Sequence, residues 1–398
     1  MSIIQIGVFV YFSLSIFYLL IFAIAGNFKR RRNVFSHPNS EFQKIAILIP
    51  AYKEDPVIVQ SVLQNQYQNY PEDKFTILVI ADGLQKSTLK RLSELKIQIL
   101  PVEFDLSTKA KSLRKGLEFL RTKGFEIAVI LDADNIVKED FCQRINSIFH
   151  ENVEAVQCRR VAKNMDTPIA YLDGISEVIN NHIFRKGHTN LGFSSSLIGS
   201  GMAFRYQLLD NCMNDADAVG GFDKELQLKI VRNGVKIKYD PGTLVFDEKV
   251  ENSNQLQNQR RRWVASQYQF LSKNFQVSFS ELFRGNIDFF NLAFAQNFFL
   301  PKYLNFGLLL IWVVVLGMLM GFSQLDKAWY ILVFLHALVF ILSIPLRFYN
   351  AKFIGSLFHL PMAFFHLLFS MFRIKGANQK FIHTEHRHES VDNNLFDE

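Results

Sequence analysis

The sequence predicts an α/β domain held between membrane-crossing segments at its N- and C-terminal ends. Three observations carry that expectation. Apolar runs of bilayer length lie towards both ends of the chain and not in its middle. Between Lys44 and Ser272, β-branched runs alternate with stretches of helical periodicity. Several of those runs end in polar turns, where open α/β sheets bind ligands. Composition agrees. Of 398 residues 40 are Phe, charged residues make up 20% against about 25% in ordinary soluble domains, and mean hydropathy is +0.09. A disordered or collagen-like chain is excluded, and a purely soluble enzyme is disfavoured.

Residues 1–28 carry no charged side chain, and the run 3–25 exceeds the about 20 residues that cross a bilayer. Lys29-Arg30-Arg31-Arg32 follows, so the positive-inside rule sets the domain in the cytoplasm and the N-terminus outside. A cleaved signal peptide ending at Ala23-Ile24-Ala25 is the alternative. It lacks a basic leader, and its apolar run is too long.

The expected domain covers 40–272. Residues 45–49 read as a strand ending at Pro50, 57–66 as a helix, and 75–80 as a strand ending at Ala81-Asp82-Gly83. A helix over 88–95 and a strand over 97–101 follow. Leu113, Leu117 and Leu120 mark a helix over 109–123, and 126–131 is a strand ending at Asp132-Ala133-Asp134. Gly199-Ser200-Gly201-Met202-Ala203-Phe204-Arg205 reads as a flexible turn before a helix. Phe222-Asp223-Lys224-Glu225 opens a helical stretch closed by Gly234.

Beyond the domain, 280–300 is expected to hold an interfacial helix, interrupted by Asn291, Gln296 and Asn297. Residues 304–346 form two spans as a transmembrane hairpin, with Arg347 and Lys352 returning the chain to the cytoplasm. The stretch 353–372 contains His359, Pro361 and His366. It reads as interfacial or re-entrant, with a fourth span as the alternative. Residues 373–398 are expected as a cytoplasmic tail whose end is mobile and polar.

The net charge of +7 gathers at the membrane edges, which fits a lipid surface or phosphorylated substrates and not nucleic acid. Cys142, Cys158 and Cys212 are too few and too irregular for a disulfide framework or zinc site. Neither G-x-G-x-x-G nor a P-loop is present. Asp132 and Asp134, one residue apart at a strand end, offer oxygen ligands to a hard divalent cation that would bridge a diphosphate. Gln259-Arg260-Arg261-Arg262-Trp263 adds a cationic cluster suited to phosphate oxygens, or to lipid headgroups.

This ordered set resembles the membrane-bound family-two glycosyltransferases, the group of the cellulose, chitin and hyaluronan synthases and smaller bacterial relatives. The resemblance covers about Lys44 to Gln267 and the layout of the membrane segments. It implies a GT-A (Rossmann-like) fold and an inverting sugar transfer from a nucleotide-diphospho-sugar, UDP-linked, with Mg2+ or Mn2+ as cofactor. It implies that Glu54, Asp82, Lys109, Asp132, Asp134 and Arg262 bind the donor. Asp134, with Asp132, would ligate the metal. Gly199, Ser200, Gly201, Gln259 and Trp263 would border the acceptor. Asp223 would be the catalytic base, with Glu225 as rival. The segment Phe381-Ile382-His383-Thr384 resembles one that folds over the site in synthases of this group, so Thr384 would touch the diphosphate. The sequence departs from the family where Lys53 stands for an Asn and Phe222 precedes Asp223. The acceptor is expected to be a polysaccharide or other glycan, with a polyprenyl-phosphate or other lipid-linked acceptor as the alternative. So small a membrane part suggests homo-oligomers or partner subunits. A non-catalytic nucleotide-sensing membrane protein is the reading from another class, and it needs neither a base nor a sugar platform.

Overall fold

The computed structural model describes residues 2–28, 41–214, 220–372, 387–391 and 393–396. Its centre is one eight-stranded sheet in the order β3-β2-β1-β4-β7-β6-β8-β5. The strands are β1 (Ile45–Tyr52), β2 (Phe75–Asp82), β3 (Gln98–Val102), β4 (Ile127–Ile130), β5 (Ile136–Val137), β6 (Ala155–Ala162), β7 (Met202–Arg205) and β8 (Ile237–Asp247). The run β3-β2-β1-β4 is parallel, so its carboxyl ends share one edge. β7 lies antiparallel between β4 and β6, and β8 runs parallel to β6.

Period-two alternation splits the core between the two faces of the sheet. Ala46, Leu48, Leu78 and Ile80 face the helices Lys109–Leu120, Tyr206–Met213 and Phe222–Arg232. Ile45, Ile47, Ile49, Ile77 and Val79 face Ile58–Asn65 and Phe141–Phe149. Because β1 is fully covered on both faces, its sequence is a continuous apolar run. Helix Lys109–Leu120 begins where Thr108 Oγ1 accepts the Lys111 N–H. Its Gly116 lies so close to the sheet that a Cβ there would stand 2.5 Å from Ile80 Cδ1.

Helix Ile3–Gly26 packs beside Lys327–Ser343, where Phe9 meets Trp329 edge-on at 5.2 Å. Helix Lys302–Met320 joins them, and Asn305 donates to Ser15 in the buried interface. Ile3–Gly26 and Lys302–Met320 are long and apolar enough to cross a bilayer. Lys327–Ser343 is apolar but has 17 residues. Ala351–Leu357 and Leu360–Phe369 form one pair bent by 45°.

The last turns of Ile3–Gly26 are sunk into the domain. Phe22 stacks on the His188 ring at 3.6 Å, and Asn190 Nδ2 donates to Ala25 O at 2.8 Å. Burial pushes His188 down to about 4, so the ring that supports Phe22 is neutral. Gly187 makes the approach feasible, since a Cβ there would meet Phe22 O at 2.1 Å.

Four expectations change. Residues 202–205 are not part of a flexible turn. They are strand β7, because Met202, Ala203 and Phe204 are fully buried between two neighbours. No domain boundary falls at 272, since one helix runs from Ser253 to Phe283. The expected interfacial stretch holds short helical pieces over 287–298, whose Phe289, Leu292 and Ala293 complete the core of the domain. The end of the chain is not a free tail. Phe396 is buried against Phe348, and Asn393 Nδ2 donates to Ala162 O at 3.1 Å. The arginine cluster over 29–32 and Thr384 lie outside the described residues.

Gly187→Ala should separate Phe22 from the domain. Overpacking costs typically about 1–3 kcal/mol. A clear fall in the thermal unfolding midpoint of the detergent-purified protein is the expected result. An unchanged midpoint would show that the helix docks without this close approach.

Candidate active site

The parallel register brings Tyr52, Asp82 and Val102 level at the carboxyl edge. There β1 turns sharply, with Lys53 at φ 56° and its N–H donating to Asp82 O at 3.1 Å. Glu54 and Asp82 both line the cavity that opens at this edge. Asp82 is 4% exposed, and its Oδ2 has no hydrogen-bond partner among the described residues. Burial pushes its carboxyl up, while Ser107 and Lys53 pull it down. A buried acceptor without a partner suits a ligand N–H or O–H.

Two-residue β5 builds the acidic centre. After Asp134 the chain turns back, and Ile136 pairs with Phe246 of β8 in antiparallel register. This sets Asp247 beside the Asp132-Ala133-Asp134 turn. Oxygens of Asp132, Asp134 and Asp247 lie within 4.8 Å of one another. Asn135 ties them together. Its Nδ2 donates to Asp134 Oδ1 and Asp247 Oδ1, both at 3.3 Å, and its Oδ1 accepts the Asp132 N–H at 3.0 Å. Burial would push Asp247 up, but Arg160 at 3.7 Å and Lys249 at 2.7 Å hold it below the usual carboxylate range. A second buried carboxylate, Glu177, is held down in the same way by Arg160, Arg185 and Lys249. Three converging carboxylates are an all-oxygen donor set of the kind that holds Mg2+ or Mn2+.

Lys109 links this centre to the opposite wall. Its ammonium meets Asp132 Oδ1 and donates to Gly199 O at 2.7 Å. Gly199, at φ 85°, turns its carbonyl to that lysine, and a Cβ on it would stand 4.0 Å from Asp223 Oδ2. Asp223 sits in the first turn of Phe222–Arg232, capped by left-handed Gly221. Burial raises its carboxyl, and Lys224 and Lys109 pull it back. The rival Glu225 pairs with Lys229 at 3.5 Å and does not line the cavity.

Helix Ser253–Phe283 supplies the remaining wall. Gln259, Arg262, Trp263 and Ser266 line the cavity from one helical face. Gln259 Oε1 is buried without a hydrogen-bond partner among the described residues. Trp263 is 41% exposed. Burial lowers the Arg262 guanidinium. Arg260 also lines the cavity, where it pairs with Asp173 at 2.6 Å and lies over the Trp263 ring.

Ser200 and Gly201 do not border the cavity. Ser200 is fully buried with its hydroxyl on Asn135 Oδ1, and Gly201 packs against Val245. They support the acidic turn from behind. Asp247 and Asn135 were not among the sequence candidates. Asp247 ends an apolar run, Leu244-Val245-Phe246, just as Asp82 and Asp132 do. That shared pattern was the signal for it.

The cavity, of about 1060 Å³, does not stop at Trp263. It continues between Ser253–Phe283, Lys302–Met320 and the bent helix pair, along Phe306, Gly307, Leu310, Leu357, Phe364 and Leu367.

The family model described as "Glycosyltransferase like family 2" matches residues 43–266, more than half of the chain. The chain belongs to this family. It is 26% identical over 257 residues to the "Beta-monoglucosyldiacylglycerol synthase" of Trichormus variabilis, covering 63% of this chain and 54% of that one. A Nostoc protein of the same name matches equally, so the chain spans about half the length of these curated relatives. It is also 22% identical over 308 residues to the "Probable glycosyltransferase YdaM" of Bacillus subtilis, covering 73% of each. Among solved structures it resembles a mannosyltransferase from Pyrobaculum calidifontis determined with GDP-Man and Mn2+. The TM-score is 0.51 at 17% identity, over 85% of this chain and 96% of that one. The fold is therefore GT-A-like, and the family is one of transferases.

The raised carboxyl of Asp223 means that its ionised form is disfavoured in the folded state. That burden is present at neutral pH and shrinks as acid protonates the group. Asp223→Asn should therefore unfold no lower than the parent at neutral pH, and the gap should narrow at mildly acidic pH. A variant markedly less stable at neutral pH would contradict this.

Proposed function

We propose that the protein is a metal-dependent inverting glycosyltransferase that moves a sugar from a UDP-sugar to an acceptor hydroxyl carried by a membrane lipid. The observation that carries this reading is the single cavity joining the acidic centre and Asp223 to an apolar groove among the membrane helices. A lipid acceptor needs that continuity, with its polar head at Asp223 and its chain along Leu310, Phe364 and Leu367. The lipid named in the Trichormus relative agrees.

The chemistry follows from the side chains. Glu54 and Asp82 would take the nucleoside. Asp132, Asp134 and Asp247 would hold the divalent ion, which when bound offsets diphosphate charge. Lys109 and Arg262 would meet phosphate oxygens. Asp223 takes the proton of the acceptor hydroxyl as its oxygen bonds to the anomeric carbon, on the face opposite the breaking bond to diphosphate. The electron pair of that bond leaves with the nucleoside diphosphate. Trp263 offers a flat apolar face to a sugar ring. A sugar-bearing acceptor is the second reading, and the Gln259–Trp263 face favours it. A glycolipid would satisfy both.

The packing of the C-terminal residues supports a topology. Lys327–Ser343 returns to the domain side, where Asn27 Nδ2 donates to Leu342 O at 3.1 Å. Residues 387–391 and 393–396 then pack on the domain itself. The bent pair between them should enter and leave the membrane on that side, as a re-entrant segment.

The deciding experiment is turnover by membrane-embedded protein with a panel of UDP-sugars, offered diacylglycerol, glycolipid or soluble glycan, reading released UDP and product mass. Lipid-dependent UDP release and a glycosylated lipid are expected; transfer to soluble glycan alone would remove the lipid acceptor. Asp223→Asn should lower the rate by about 10²–10⁴-fold with donor binding retained, whereas Glu225→Gln should change it little. EDTA should stop turnover and Mg2+ or Mn2+ should restore it. Full activity in excess chelator would remove the metal role.

A further inference from the structure

Lys163 follows β6 and is completely buried. An ammonium is costly to bury unless its donors are satisfied. This one donates to two main-chain carbonyls, Asp134 O at 2.7 Å and His388 O at 2.6 Å. One lies in the acidic turn. The other lies in the C-terminal segment, 225 positions further on.

A second path joins the same two places. The Glu248 N–H donates to the carboxylate of Asp134, at Oδ2, over 2.9 Å. The Glu248 carboxylate accepts the N–H groups of Arg387 and His388, each at 2.9 Å. His388 Nε2 also meets Glu251 at 2.9 Å, and Gln64 Nε2 donates to Glu389 O at 2.8 Å. Further along, Phe396 is 2% exposed, with Arg159 and Arg347 over its ring.

We infer that residues 387–391 and 393–396 belong to a strap that completes the metal centre, fixing Asp134 through Lys163 and Glu248. Lys163 is a positioning residue. It touches neither ion nor substrate, and it holds the main chain of a ligand whose carboxylate Glu248 holds in turn. Without the strap, Lys163 keeps a buried ammonium short of an acceptor, and Glu248 is left free to swing. Both changes loosen Asp134. The far end of the strap rests on Phe348 and Arg347, so ion affinity is tied to the seating of the membrane block. The inference rests on the reading of Asp134 as a metal ligand.

The test is Mn2+ binding, followed as loss of the free-ion EPR signal. It compares the unaltered protein, a chain lacking 387–398, and Lys163→Met. Loss of a supporting partner typically costs about 10–100-fold in metal affinity. A rise of that size in the Mn2+ dissociation constant is expected for both variants. A synthetic peptide of residues 387–396 should restore the truncated chain and leave Lys163→Met unchanged. At saturating Mn2+ the turnover of Lys163→Met should approach that of the parent, separating weaker ion binding from slower chemistry.

The unaltered protein gives a readout that needs no variant. Linkage is reciprocal, so Mn2+ must slow amide exchange at residues 387–391, and Asp134→Ala must abolish that slowing. Unchanged Mn2+ affinity in a folded truncated chain, or exchange indifferent to Mn2+, overturns the strap alone. Failure of the unaltered protein to bind Mn2+ overturns the metal reading and the strap with it.

Discussion

The site depends on the mutual repulsion of three carboxylates and on what restrains it. Asp132, Asp134 and Asp247 are drawn together by the pairing of β5 with the end of β8. Like charges this close would push the pairing apart. Lys109 faces Asp132, and Arg160 and Lys249 face Asp247. Arg160 is shared with Glu177, and Glu177 with Arg185, so the charge balance reaches helix Pro168–Asn180. The same helix touches the membrane block where Tyr171 donates to Phe348 O at 2.7 Å. Removing one partner from such a network leaves an uncompensated buried charge, a large cost. The network is therefore part of the site even where it touches no substrate.

Much of this was legible in the sequence, for physical reasons. β1, β2 and β4 are buried on both faces, so each wrote itself as an unbroken apolar run with a polar end. Asp82, Asp132 and Asp134 could be read from those ends. Gln259, Arg262 and Trp263 could be read from the resemblance of their motif to the glycosyltransferase group. β5 could not, because two residues carry no periodicity. β7 was hidden by Gly199-Ser200-Gly201, whose composition says turn although the next three residues are core. The docking of residues 387–391 and 393–396 was illegible for a different reason. It is made largely by main-chain N–H and C=O groups, and these are the same in every sequence.

The clamp on helix Ile3–Gly26 has a consequence for the bilayer itself. Its outward face stays apolar to the end, with Ile21, Ile24 and Phe28 about half exposed. Its inward face over the same turns meets His182, His188 and Asn190 of the domain. Hydrocarbon that wets one side of these turns stands level with domain residues on the other. A bilayer crossed by this helix would have to thin or dip around this edge, and thicker bilayers resist that deformation more. Acyl-chain length should then act as a control on this protein, with the proposed turnover declining across reconstituted bilayers of increasing thickness.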